Sequence, residues 1–166
     1  MIPNQHLEVL RRILACLEGS SINWAVTGSL EMALQGVPVV EVHDIDIQTD
    51  AEGAYEIERR LAKFVVNPVR YSESERMCSH LGLLEIDGIE VEIMGDVQKR
   101  LSDRSWEEPV EVERYRRWVE VSGMQVPVLS LEYEYRAYLQ LGRVEKAELI
   151  RNWLQKTRAE DYGSGL

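Results

Sequence analysis

Leu7, Leu10, Ile13, Leu14 and Leu17 recur in steps of three and four, which predicts an amphipathic helix ending at Gly19-Ser20-Ser21. Trp24-Ala25-Val26-Thr27 is short, apolar and partly β-branched, and reads as a buried strand. Gly28-Ser29 interrupts it, and residues 30–35 read as a helix stopped by Gly36 and Pro38. From Asp44 the chain alternates strictly as Asp44, Ile45, Asp46, Ile47, Gln48, the period of a half-buried strand with the isoleucines inward. Asp50 is placed to cap a helix over 51–66, with Tyr55, Ile57, Leu61 and Phe64 near one stripe. Residues 81–86 and 89–94 predict two strands around Asp87-Gly88, a two-residue hairpin signal, and Asp96 is then placed to cap a short helix through Leu101. Residues 117–121 and 125–129 predict a further strand pair about Ser122-Gly123-Met124. Ser130 stands as N-cap of the first of two closing helices, 131–141 and 144–155, separated at Gly142. The polar tail from Glu160 is expected to fray.

Helices, crossovers and hairpins in this order predict an α+β fold. It has a mixed β-sheet with helices mainly on one face and a C-terminal helical pair. The expected division is a core over 1–129, the helical pair over 130–158 packed on it, and a flexible tail over 159–166.

At 166 residues the chain has the size of one domain. Asp and Glu number 29 against 19 Lys and Arg, a formal charge of −10. That balance argues against a general nucleic-acid binder, which needs a cationic surface to neutralise phosphates. Cys16 and Cys78 make no disulfide framework, and reduced thiols in a cytoplasmic protein are the expectation. Met1 to Arg12 lacks a basic segment followed by an apolar run, so no secretory leader is expected. No apolar stretch is long enough for a membrane span.

Three features carry candidate chemistry. Asp44 and Asp46, two apart on a strand, share a face with Cβ atoms ~7 Å apart, a spacing that two carboxylates can use to share divalent cations. The plainer reading is an exposed strand face that carries two acids. Gly28-Ser29 sits at a strand-to-helix junction, where glycine admits a ligand close to the backbone and serine offers a hydroxyl and amides to a phosphate. Glu90 and Glu92 share the polar face of a later strand. Periodicity does not separate them as the third carboxylate of an oxygen-ligand site suited to magnesium.

The order strand, Gly-Ser, helix, Asp-x-Asp strand, acidic strand resembles the DNA polymerase beta-like nucleotidyltransferase superfamily. The resemblance rests on Val26-Thr27-Gly28-Ser29, His43-Asp44-Ile45-Asp46-Ile47 and Val91-Glu92-Ile93. The stretch Leu129-Ser130 through Gly142-Arg143 and Lys146 is similar to the helical tail of its minimal members. The 15-residue step from Ser29 to Asp44 looks like the branch with lincosamide nucleotidyltransferases and abortive-infection nucleotidyltransferase toxins. The resemblance implies a nucleotidyltransferase fold and transfer of a nucleoside monophosphate from a nucleoside triphosphate, with ATP as first candidate, to an acceptor. Two Mg2+ ions, with Mn2+ as a substitute, would be held by the catalytic acids Asp44, Asp46 and Glu92. Glu92 is preferred to Glu90 because of its Val91-Glu92-Ile93 context. Gly28 and Ser29 would hold the terminal phosphates. Arg136, Arg143 and Lys146 are candidate nucleotide contacts, although exposed helix faces often carry such residues. Tyr133, Tyr135 and Tyr138 can stack on a base or simply pack. The chain departs from the superfamily pattern in Glu for the usual third Asp, and in Ala147 near an expected late acid. The alternative reading is a catalytically inactive member that binds a nucleotide or a small protein partner, as in a toxin–antitoxin pair.

Overall fold

The computed structural model describes residues 2–38 and 41–164. Among them, six helices accompany seven strands: α1 (Asn4–Leu17), α2 (Gly28–Leu34), α3 (Ala51–Arg60), α4 (Val112–Tyr115), α5 (Leu131–Gln140) and α6 (Val144–Ser164). The strands are β1 (Trp24–Thr27), β2 (Ile45–Thr49), β3 (Val65–Glu73), β4 (Met77–Ile86), β5 (Ile89–Lys99), β6 (Arg116–Val121) and β7 (Met124–Leu129). They form one sheet in the order β3-β4-β5-β2-β1-β7-β6. β2 runs parallel to β5 and β1 parallel to β7, while the other neighbours are antiparallel. The sheet is therefore mixed and the architecture α+β, as the alternation of hairpins and crossovers implied.

Strand periodicity sorts the sheet into two faces. Val26 lies opposite Ile47, and Ile47 opposite Ile93, all three fully buried. They pack with Val9, Leu10 and Ile13 of α1 and Ile57 of α3 in the main core. Each such side chain contributes about 1.5–3 kcal/mol by leaving water. On the other face Ala25 and Leu129 pack with Tyr133 and Ala137 of α5 and with Val112. α6 seals the outer side of α5 and α2 through Met32, Tyr138, Ala147 and Ile150. Because side chains alternate, strands that give Val26, Ile47 and Ile93 to the core must give Thr27, Asp46 and Glu92 to this second face.

Local signals act as read from the sequence at several ends. Asp50 caps α3 by accepting from the Gly53 amide at 2.6 Å, and the Ser130 hydroxyl accepts from the Tyr133 amide at 3.2 Å. Asp87 and Gly88 both take positive φ, 51° and 80°, the geometry of the tight turn whose twist matches its flanking strands.

Elsewhere the structure differs. The helix expected over 51–66 stops at Arg60, and a 3₁₀ turn at Ala62–Phe64 leads into β3. The β-branched pair Val65-Val66 followed by Asn67-Pro68 does not continue a helix. β3 is an edge strand with only Val69 buried, so it shows little apolar alternation. The short helix expected from Asp96 to Leu101 is strand instead. Asp96 takes φ 51° where the register with β4 slips, a bulge that lets β5 run on with Val97 and Lys99 buried. α6 continues past the expected 155 to Ser164, since residues 156–162 contain no glycine or proline. Residues 165–166 of the expected tail lie outside the described residues. No helix among the described residues is long and apolar enough to cross a membrane.

Gly95 lets α3 rest directly on β5. A Cβ there would lie 2.7 Å from the Asp50 carbonyl oxygen and 2.8 Å from the Ala54 Cβ. Gly95→Ala should therefore lower stability by about 1–3 kcal/mol through overpacking. Urea unfolding checks this, and an unchanged midpoint would contradict the tight packing.

Candidate functional site

β1 and β2 lie side by side, with Thr27 opposite Asp46, so the Gly28-Ser29 turn opens beside the Asp-x-Asp strand. Asp46 in turn lies opposite Glu92 across the parallel β2–β5 pair. Glu92, and not Glu90, is thus the cross-strand neighbour of Asp46; Glu90 stands beyond it toward Asp44. Asp44 itself precedes β2 and is exposed. The segment before it is tied to α1, where the buried His6 ring Nε2 meets the His43 carbonyl at 2.9 Å.

Gly28 takes φ +77°, and a Cβ on it would come within 2.5 Å of Asp46 Oδ2. Glycine is required twice over, for the left-handed backbone and for the close approach of the aspartate. Behind the turn lies Glu134 of α5, only 3% exposed. Its carboxylate accepts from the Thr27 hydroxyl and the Gly28 amide. These bonds fasten α5 to the β1–α2 turn.

The electrostatics reflect crowded acids. Burial, then Glu92, Asp44 and Glu134, push the Asp46 carboxyl well above the usual carboxylate range. Burial likewise lifts Glu134 to about 7, against the lowering effect of Thr27, the Gly28 amide, Lys99 and Lys146. Glu31 of α2 is raised by its own burial and by Glu134 and Glu132, and its Oε2 has no partner among the described residues. Of the cations near these acids, Lys99 is buried. Lys99 Nζ is 2.7 Å from Glu107 and donates to the Tyr133 hydroxyl at 3.2 Å while only 4% exposed.

Two cavities flank the carboxylates and share Glu92. One, of about 220 Å³, is lined by Thr27, Gly28, Asp46, Gln48, Glu134 and Arg143 among others. Gln48 Oε1 is buried there without a partner among the described residues. The other, of about 430 Å³, is lined by Asp44, Arg70, Glu90 and Glu92. A third space of about 510 Å³ adjoins the first through Lys99, Tyr133 and Ala137.

The structure therefore brings Gly28, Asp46, Glu92 and Arg143 around one cavity, with Asp44 at the neighbouring cleft. Ser29 is half-buried in the first turn of α2 and does not line the small cavity. Arg136 lines the third space rather than the first. Lys146 lies over the Tyr138 ring, 5.4 Å from its centroid. Tyr133 and Tyr138 reach the small cavity, whereas Tyr135 packs in the α5–α6 core. Sequence reasoning missed Glu134 and Lys99. For Glu134 the only signal was an acid on the inner face of α5; for Lys99 it was hidden by the misread 96–101 segment.

The acids fit a hard cation with oxygen ligands: Asp46 and Glu92 repel one another, and the missing Gly28 Cβ leaves space at Asp46 Oδ2. Among the described residues no three acids, histidines or cysteines converge as a preformed metal cage.

The family model for aminoglycoside-2''-adenylyltransferase matches residues 9–151, most of the chain and all of this site. The chain belongs to that family. This aminoglycoside-2''-adenylyltransferase-family chain is 63% identical to a nucleotidyltransferase candidate from Thermotoga maritima of known crystal structure. That match covers 94% of this chain and 96% of the other, with a TM-score of 0.83. Its fold is shared by ANT(2'')-Ia, crystallised with adenylyl-2''-tobramycin, at 15% identity and a TM-score of 0.60 over 94% and 93% of the two chains. It is shared too by the lincosamide antibiotic adenylyltransferase LnuA in its lincomycin-bound form, at 17% identity and a TM-score of 0.53 over 76% and 82%. No curated protein sequence matches the chain significantly. The protein is accordingly a minimal member of the nucleotidyltransferase superfamily, as the Gly-Ser and Asp-x-Asp signature implied.

Proposed function

We propose that the protein transfers a nucleoside monophosphate from a nucleoside triphosphate to a hydroxyl-bearing acceptor, breaking the α–β phosphoanhydride bond and releasing pyrophosphate, with Mg2+ as cofactor. The observation that carries this reading is the Asp46–Glu92 carboxyl pair beside the side-chain-free Gly28 turn. Asp44, Asp46 and Glu92 would hold the metal. When bound, it would supply charge neutralisation for the phosphates and a lower pKa for the attacking hydroxyl. Gly28 would let the phosphates approach the β1–α2 turn, and Arg143, which lines the same cavity, would offset their charge. Lys99, held in place by Glu107 and Tyr133, lies on the path to the adjoining space, where the rest of the nucleotide would lie.

The acceptor would enter the cleft of Asp44, Glu90 and Glu92. Its acids suit an amino-bearing polyol, the chemistry of the tobramycin adduct bound by ANT(2'')-Ia. Arg70, on the same wall, would select against a fully cationic face.

Titration of ATP, GTP, CTP and UTP into the protein by calorimetry tests the reading. At least one triphosphate should bind with Mg2+ present and much more weakly in EDTA. No binding of any triphosphate in either condition would overturn the reading.

A further inference from the structure

β6 is the outermost strand beside β7, and its other edge meets no strand among the described residues. An open edge offers a row of backbone donors and acceptors to another strand. Registered on β7, Arg116, Trp118 and Glu120 face Leu129, Pro127 and Gln125 on one side of the sheet. Val119 and Val121 turn to the other side and pack on the main core. Trp118 is 58% exposed, more than any other large hydrophobic side chain among the described residues. The Arg116 guanidinium lies 5.3 Å from its ring centroid. Neither Arg116 nor Glu120 makes an ion pair among the described residues.

This face of β6 thus reads a half-buried Arg116, then exposed Trp118 and Glu120, at alternate positions, and the pattern is self-complementary. Two antiparallel copies related by a two-fold axis perpendicular to the sheet pair residues so that faces match, which restricts the register to steps of two. With the axis at Trp118, Arg116 stands opposite Glu120 of the second copy on both sides of the axis, and the two Trp118 rings meet at the centre. Opposite charges and aromatic pairs across antiparallel strands are favourable. With the axis at Arg117, two arginines would face each other. With it at Val119, Trp118 would stand against Glu120.

We infer that β6 is a homodimer interface, pairing antiparallel with β6 of a second copy about an axis at Trp118. The paired sheets become one continuous sheet of two seven-stranded halves. Both carboxylate sites then lie on the same side of it, because the axis preserves the faces. The inference is independent of the enzymatic reading.

Sedimentation velocity on the full chain over a range of concentrations tests it. The wild-type protein should dimerise. Arg116→Glu and Glu120→Arg should each raise the dimer dissociation constant at least tenfold, and the double exchange Arg116→Glu/Glu120→Arg should return it to within about threefold of wild type. Both positions lie on an edge strand, Glu120 exposed and Arg116 half-buried, and circular dichroism of each variant checks its fold. A wild-type protein that stays monomeric to its solubility limit overturns the inference. So does a dimer unaffected by the single exchanges, or a double exchange no tighter than either.

Discussion

Replacing Asp46 by Asn should give a protein that melts several degrees higher above pH 7 and no longer transfers a nucleotide. Asp46 is held beside Glu92, Asp44 and Glu134, and its ionised form is disfavoured by burial and by all three. Asparagine keeps the shape and removes the charge. Relief of about 1–2 kcal/mol of repulsion would raise the melting temperature by about 2–8 °C for a chain of this size. The same change removes a ligand from the proposed metal site. Triphosphate binding in Mg2+ should weaken to the level seen in EDTA. Transfer should fall at least about 10³-fold, equivalent to about 4 kcal/mol of transition-state stabilisation. Thermal melting, calorimetry and single-turnover assay read the three effects. A variant that binds triphosphate and metal like the wild type would remove Asp46 from the site. One that melts lower would show that the carboxyl is a structural partner.

The metal-free protein should lose stability as pH rises from about 4.5 to about 7. Glu134 is lifted from 4.5 to about 7 by burial, and Asp46 and Glu31 are also raised above their ordinary values. A carboxyl whose folded pKa exceeds its unfolded one keeps a proton that the unfolded chain has released. Stability therefore falls through the interval between the two values and levels off above the folded one. Glu134 alone accounts for on the order of 3 kcal/mol. Glu56, held down to about 2 by Arg59 and Arg60, works in the opposite sense but only below that interval. Urea unfolding in EDTA at several pH values measures the slope. Adding Mg2+ and triphosphate should flatten the part that belongs to Asp46. Stability constant or rising from pH 5 to pH 7 would show that these buried acids are ionised without cost.

What the sequence made legible was local. Asp50 and Ser130 cap helices because a short polar side chain reaches the third amide ahead whatever the rest of the chain does. Ile45 and Ile47 declare a buried face, and that fixes Asp46 on the opposite one. What stayed hidden depended on partners distant in sequence. β3 is held by pairing to β4, with its own side chains largely in water, so its composition carried no signal. Asp96 looked like a cap because aspartate favours both helix starts and left-handed backbone, and here the bulge uses the second property. Glu134 lies 107 residues from Thr27, and its place on the inner face of α5, against Glu132 on the exposed one, does not reveal that distant partner.

The contact between His6 and the His43 carbonyl reaches further than its size suggests. The family-matched segment begins at residue 9, three residues after the histidine. A version trimmed to that segment would retain every acid of the site and shed the tether that steadies the approach to Asp44. Cutting into the segment around His6 is therefore a change to the site's own scaffolding.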